Sequence, residues 1–122
     1  MPVDRVLEAN GEAFVVLDAY PVLPGHSLVI SRRHTTDVFN LTDVEIANIL
    51  RLVRSTRERI DRTLRPTGYN VGVNVGTDAG QTVMHVHVHV IPRYCGDTTD
   101  PTGGVRGVIP GKARYTPESG QD

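Results

Sequence analysis

The sequence predicts a single α+β domain in which one long helix packs on one face of an antiparallel sheet of about five strands. Three observations lead to this fold class. A hairpin signal stands near the N-terminus, short strand-like segments lie on both sides of the chain's midpoint, and one long amphipathic segment separates them. The length of 122 residues fits one compact domain.

A β-hairpin is predicted at the start of the chain. Asn10 and Gly11 both tolerate the positive φ angles that a two-residue hairpin turn requires. We therefore expect strands over Arg5–Ala9 and Glu12–Asp18. After a loop punctuated by proline and glycine, the third strand is expected at His26–Ser31.

The middle of the chain predicts a short helical turn and then the long helix. The turn is expected over Thr35–Asn40, and Thr42 with Glu45 forms a capping-box pattern that opens a helix over Asp43–Leu64. The apolar stripe expected to face the sheet is Ile46, Ile49, Leu50, Val53, Ile60 and Leu64. The charged residues expected to face water are Arg51, Arg54, Glu58, Arg59 and Arg62.

Two more strands and an arm complete the prediction. The strands are expected at Asn70–Val75 and Val83–Ile91. Residues 1–95 then form the folded domain, and Gly96–Asp122 forms a Gly/Pro-rich C-terminal arm with a disordered end. Within this partly ordered arm, Gly104–Pro110 is expected to pack against the domain.

The amino-acid composition limits which binding partners and which cellular compartment we expect. The formal charge of −1 gives no basic face for a nucleic acid, whereas a small nucleotide needs only a few local donors. Cys95 is the single cysteine, which fits a reducing compartment. The N-terminus lacks the apolar core of a signal peptide, and the longest apolar runs are too short to span a bilayer. We therefore expect a cytoplasmic protein with no membrane partner. The low apolar content of this short chain, which has no tryptophan, favours a homodimer.

Three histidines alternate with three valines over residues 85–90. Residues two apart in a strand point the same way and lie about 6–7 Å apart, so three imidazoles line one face and three valines pack on the other. Three interpretations follow. The rings supply a nucleophile and its helpers, they bind zinc with His26 or water as a further ligand, or they are polar residues on a wet face.

The loop over residues 76–82 favours phosphate over metal. Gly76 and Gly80 allow backbone N–H groups to crowd around an anion, and Gln81 and Thr82 add side-chain donors. The two glycines by themselves would equally suit a plain turn. His34 follows two arginines and is interpreted as the exposed end of a strand.

Residues 80–91, GQTVMHVHVHVI, resemble the signature of the histidine triad (HIT) family of nucleotide hydrolases and transferases. The upstream Pro24-Gly25-His26 resembles a second landmark of that family, and the resemblance covers about residues 5–95. His89 stands where the uridylyltransferase branch has glutamine. The phosphoramidase branch usually ends in a segment with tryptophan, which this chain lacks. The resemblance is therefore closest to the fragile-histidine branch, which cleaves diadenosine polyphosphates.

The resemblance implies a role for each residue of the motif. His87 would attack the α-phosphorus, while its neighbours orient it and steady the charge. The implied catalytic set is His87, His85, His89, His26 and Gln81. In the implied substrate site, Val16, Leu17 and Leu28 line the base slot and Asp18 holds the ribose, where that branch often carries asparagine. The implied substrate-binding set is Asp18, Asn74, Gly80, Thr82, Val16, Leu17 and Leu28.

The implied activity is that of a nucleotide phosphohydrolase acting on dinucleoside polyphosphates or nucleotide conjugates. A His-linked nucleotidyl intermediate forms, and water then releases a nucleoside monophosphate. No cofactor and no metal ligand is implied, and the substrate can arrive as its Mg²⁺ complex. Three alternatives stay open: an adenosine phosphoramidase of the same family, a nucleotide-binding protein without turnover, and a zinc-binding protein.

Overall fold

The computed structural model describes residues 5–115 and confirms the predicted fold class, one long helix on a five-stranded antiparallel sheet. The strands are β1 (Glu8–Ala9), β2 (Ala13–Leu17), β3 (Ser27–Ser31), β4 (Gly68–Gly72) and β5 (His87–Arg93). The helix is α1 (Asp43–Thr63), and short 3₁₀ helices span Val38–Asn40, Thr77–Ala79 and Gly104–Val108.

The histidine-bearing strand β5 is an inner strand of the sheet. The strand order is β1-β2-β3-β5-β4, and every neighbouring pair is antiparallel. The faces alternate along β5, since Val88 and Val90 are buried in the core under α1 while His87 and His89 point to the opposite face. The sheet therefore has one face for the helix and one face for a site.

Helix α1 begins where the capping box predicts. The Thr42 hydroxyl accepts the N–H of Glu45, and the Glu45 carboxylate accepts the N–H of Thr42. The predicted apolar stripe is wrong at its edge, because Leu50 and Leu64 are exposed. Leu50 instead lies over a groove beside β4. The residues of α1 that are buried against the sheet are Glu45, Ile49, Leu52, Thr56 and Ile60.

Arg59 also departs from the prediction of a solvated helix face. Its Nη1 lies 2.6 Å from a carboxylate oxygen of Glu8, and both side chains are about one quarter exposed. This ion pair joins α1 to β1, the two-residue edge strand. The predicted strand Arg5–Ala9 is thus shorter in the structure, although Leu7 still donates its N–H to Val15.

The last two strands are shifted from their predicted ranges. The predicted strand Val83–Ile91 begins only at His87, because β3 ends at Ser31 and leaves residues 83–85 without a partner strand. Val86 instead donates its N–H to the carbonyl of Thr35. At the other end β5 continues through Pro92 to Arg93, which moves the paired part of β4 back to Gly68–Gly72.

Part of the C-terminal arm contacts the sheet. The 3₁₀ helix Gly104–Val108 contacts β4. Arg93 holds the arm's base by a two-point ion pair with Asp97, and Arg114 pairs with Asp100. The predicted disordered end of the arm lies mostly outside the described residues.

No helix within residues 5–115 combines the length and the apolar character that crossing a bilayer requires.

Candidate active site

A cavity of about 420 Å³ opens on the sheet face opposite α1. Its floor is formed by side chains of β2, β3 and β5, which the register places next to one another: Val16 pairs with Leu28, and Leu28 pairs with His89. All seven predicted substrate-binding residues line the cavity together with His87 and His89. Sequence reasoning missed the other lining residues, Arg5, Ala19, Tyr20 and Val83.

The backbone fixes which nitrogen of His87 carries the proton and which keeps a lone pair. Nδ1 of His87 lies 2.8 Å from the carbonyl oxygen of His85. A carbonyl oxygen can only accept a hydrogen bond, so Nδ1 carries the proton and Nε2 of the neutral ring keeps its lone pair. The ring is only partly buried and lines the cavity, which leaves a nucleophilic nitrogen available there.

A relay of hydrogen bonds orients His89. Nδ1 of His26 accepts the N–H of Val22 at 3.0 Å, so the proton of the neutral His26 ring is on Nε2. This Nε2–H points to Nδ1 of His89 at 2.9 Å. Oδ2 of Asp18 lies 3.4 Å from Nε2 of His26. His89 therefore accepts at Nδ1 and carries its own proton on Nε2. The rings of His87 and His89 meet nearly edge to face, with centroids 5.2 Å apart.

The same relay bears on the zinc interpretation. Ligand atoms of Asp18, His26 and His89 lie within 4.8 Å of one another, close enough in principle for a metal ion. With the N–H of Val22 on its Nδ1, however, neutral His26 has a proton and no lone pair on the Nε2 that faces this group. The arrangement as it stands fits a hydrogen-bond relay better than a metal centre.

Burial gives the two relay histidines a pH signature. The pKa of His26 is lowered by burial, with the Asp18 carboxylate opposing the shift, and the pKa of His89 is lowered by burial and then by His87 and His26 nearby. A lowered pKa in the folded state means that the unfolded chain takes up the protons first as the pH falls. The stability that these neutral rings contribute is complete above about pH 6.5, the ordinary imidazole pKa, and is lost as the pH falls through the lowered values.

We therefore expect the urea midpoint of unfolding to decrease between about pH 7 and about pH 5. The variant His26→Gln should show a smaller decrease, because one of the two buried rings is gone. The matched control is Val44→Ser, an exposed and uncharged change on α1 that should keep the parent's pH dependence. Equal pH dependence in His26→Gln and in the parent would contradict this explanation.

His85 lies outside the row that the strand pattern predicts. It precedes β5, and its Nε2 donates to the carbonyl of Ser31 at 2.6 Å. Its Nδ1 is 3.0 Å from Nδ1 of His34, which lies exposed just beyond the end of β3, as interpreted, and also contacts this ring. His85 is connected to His87 through its backbone carbonyl, and its ring is anchored by β3 and His34. The neighbouring Arg33 is bound to Glu45.

Gln81 is buried beneath the loop and does not line the cavity. Its Oε1 accepts the N–H of Gly76 at 2.9 Å, and its Nε2 donates to the carbonyls of Thr36 and Val83 at 2.8 and 3.3 Å. Every polar atom of this side chain is therefore engaged within the protein. In this structure Gln81 holds the loop that carries Gly80 and Thr82 into the cavity.

An antiparallel sheet that sets a histidine row beneath a cavity, with a glycine-rich loop at its rim, is the architecture that the sequence resemblance implies. Residues 3–96 match the family described as the HIT domain. This chain belongs to the HIT family.

Named relatives support the membership. The chain is 41% identical over 117 residues, 93% of its length, to the "AP-4-A phosphorylase" of Mycobacterium tuberculosis. It is 42% identical over 88 residues, 72% of its length, to the "Bis(5'-nucleosyl)-tetraphosphatase [asymmetrical]" of Schizosaccharomyces pombe. The crystal structure of the C. elegans NitFhit protein superposes with a TM-score of 0.77 at 33% identity, over 82% of this chain and 24% of that one.

These relatives are longer than this chain. The aligned part makes up 60% of the mycobacterial protein and 47% of the yeast protein.

Proposed function

We propose that this protein cleaves dinucleoside polyphosphates at an α-phosphate, with Nε2 of His87 as the nucleophile. The observation that carries the proposal is the tautomer of His87, whose reactive nitrogen is kept unprotonated beside the cavity by the carbonyl of His85. The names of the two relatives, a phosphorylase of Ap4A and a dinucleoside tetraphosphatase, support this substrate class.

The cavity offers matching surfaces for the nucleotide that becomes attached. Val16, Leu17 and Leu28 supply an apolar slot for the base. Asp18 lies beside this slot and is the residue proposed to hold the ribose. Its Oδ1 already accepts the N–H of Tyr20, which fixes the orientation of the carboxylate. Asn74, Gly80 and Thr82 line the part of the cavity proposed to hold the phosphates.

The first step forms the bond between Nε2 of His87 and the α-phosphorus, and it breaks the bond from that phosphorus to the bridging oxygen. The departing polyphosphate carries the electron pair away on that oxygen. Positive charge develops on the imidazole ring, and the carbonyl of His85, which accepts from Nδ1, stabilises it. Nε2–H of His89 is the nearby donor proposed to steady the phosphoryl oxygens, with His26 and His85 as positioning residues.

The second step breaks the bond between His87 and phosphorus. In a hydrolase, water attacks the phosphorus and releases a nucleoside monophosphate. In a phosphorylase, inorganic phosphate attacks and releases a nucleoside diphosphate. The name of the mycobacterial relative is the observation that favours the second candidate. The protein's own residues have the same tasks in both cases.

Product analysis separates these candidates. The protein is incubated with diadenosine tetraphosphate, with and without inorganic phosphate and with and without Mg²⁺, and the nucleotides are separated by chromatography. The hydrolase gives AMP and ATP in either buffer, whereas the phosphorylase gives ADP and ATP only when phosphate is present. Mg²⁺ should accelerate the reaction if the substrate binds as its Mg²⁺ complex.

The same assay tests the other activities. Release of AMP from adenosine phosphoramidate and not from the tetraphosphate would replace our proposal with the phosphoramidase. Tight binding without any product would leave a nucleotide-binding protein, and loss of activity on removal of stoichiometric zinc would restore the metal alternative.

A homodimer is proposed from the family resemblance. The exposed Leu50 and Val71, which lie along the groove between α1 and the edge strand β4, support this proposal.

A further inference from the structure

A second cavity, of about 340 Å³, lies on the same sheet face as the first. Ile91 and Gly72 contribute to its floor on β5 and β4. Val22 comes from the loop between β2 and β3, and Val105 and Val108 come from the 3₁₀ helix of the arm. The arm, which returns across β4, thus supplies one wall of this cavity.

The two cavities are contiguous. Both are lined by His89 and Asn74, and His87 lines the first cavity next to this shared boundary. The first cavity covers β2, β3 and β5, and the second covers β5 and β4. A ligand longer than one nucleotide could therefore cross the sheet from one cavity to the other and pass the reactive nitrogen of His87 on the way.

The lining of the second cavity suits an uncharged, partly apolar group. No acidic side chain, lysine or arginine lines it among residues 5–115. Three exposed valines, Val22, Val105 and Val108, surround it with 64–76% of their surfaces open to solvent. Asn70 and Asn74 add amide groups that can donate and accept. Apolar walls with a few hydrogen-bonding groups fit a nucleoside and lack the cations that a phosphate chain would need.

The arm that forms the valine wall is firmly built. Gly103 has a φ of 89°, and a Cβ atom there would stand 1.7 Å from the carbonyl oxygen of Ala113. Only glycine permits this close approach of the two arm segments. The Arg106 Nε also donates to the carbonyl of Lys112. Contacts within the arm thus fix its two segments against each other, and a rigid wall lowers the entropic cost of binding.

We propose that the second cavity is the subsite for the nucleoside of the leaving group. This inference rests on the proposed function and adds the place of the substrate's far end. The nucleoside attached to His87 binds over β2 and β3, the phosphates cross at His89 and Asn74, and the second nucleoside binds between Val22 and the arm valines. The arm is therefore a specificity element for substrates with two nucleosides.

Two substrates with equal phosphate chains test the subsite. Diadenosine tetraphosphate carries the second nucleoside, and adenosine tetraphosphate lacks it. The blocking variant is Val108→Trp. Val108 is an exposed residue of the arm that lines the second cavity and does not line the first. We expect kcat/KM for the dinucleotide to fall about tenfold, and kcat/KM for adenosine tetraphosphate to stay within about twofold.

A second variant removes the wall instead of filling the cavity. Val105→Ser with Val108→Ser changes only exposed side chains, so folding should be unaffected, and it should produce the same selective loss. The matched control is Val44→Ser on α1. This valine is 62% exposed and lines neither cavity. Sedimentation of every variant records the association state.

The outcomes are distinguishable. An equal loss on both substrates, or no loss on either, overturns the subsite. A shift from dimer to monomer in the double serine variant, with loss on both substrates, also overturns it and assigns the valines to a contact between two copies of the chain. Failure of the parent protein to cleave either substrate would instead refute the proposed function itself.

Discussion

Replacing His87 with alanine should lower the turnover of diadenosine tetraphosphate by about 10⁴-fold or more, because it removes the nitrogen proposed to attack the phosphorus. The residues that line the rest of the cavity are unchanged, so nucleotide affinity should stay within a few-fold of the parent's. Turnover is measured by AMP or ADP release, and affinity by calorimetric titration with AMP.

Intact-mass analysis after a rapid quench in mild alkali supplies the second readout. The parent should show a nucleotidyl adduct that maps to His87, and His87→Ala should show none. His85→Ala is the informative comparison, since the backbone carbonyl that orients His87 remains in that variant. It should slow the reaction far less than His87→Ala. Retention of more than about one hundredth of the turnover in His87→Ala would place the nucleophile elsewhere.

Replacing Gln81 with alanine should lower kcat/KM about 100-fold and also destabilise the fold by about 2 kcal/mol. The variant leaves the N–H of Gly76 and the carbonyls of Thr36 and Val83 without the partners they have now. The loop that carries Gly80 and Thr82 would then lose its support. Urea unfolding and steady-state kinetics on the same preparation measure both effects.

Two further variants separate support of the loop from direct contact with substrate. Gln81→Glu keeps an acceptor for Gly76 but points a carboxylate at two carbonyl oxygens, and it should be at least as damaging as alanine. Asp78→Ala, an exposed change in the same loop, should stay within about twofold of the parent. Loss of activity in Gln81→Ala with unchanged stability would mean that the side chain acts through the substrate alone.

Local rules predicted the parts of the fold that depend on neighbouring residues. The start of α1 follows from two side chains three residues apart, Thr42 and Glu45, and it is correct to the residue. The alternation of histidine and valine is likewise correct where β5 is paired on both sides. The limits of the last two strands could not be read in this way. The start of β5 depends on where Ser31 ends β3, and the range of β4 depends on the extension of β5 to Arg93.

The site likewise combines features that the sequence predicts with features that depend on contacts it does not predict. The family resemblance predicted seven residues that line the cavity, and it missed Arg5, Ala19, Tyr20 and Val83. The partners that set proton positions do not follow from the motif. The N–H of Val22 on His26, the pairing of His34 with His85 and the internal bonds of Gln81 join residues distant in sequence or engage backbone atoms. A pattern of residue types does not predict such contacts.

The acceptor that sets the tautomer of His87 is a main-chain oxygen, and every residue type supplies one. A substitution at position 85 can therefore change the surroundings of the His87 ring while its proton stays on Nδ1. In the proposed mechanism, the reactivity of His87 depends on the two-residue spacing between this carbonyl and the ring, which an insertion or deletion between positions 85 and 87 would change and a side-chain exchange at position 85 would not. The protein should therefore tolerate substitution at position 85 better than a change of chain length there.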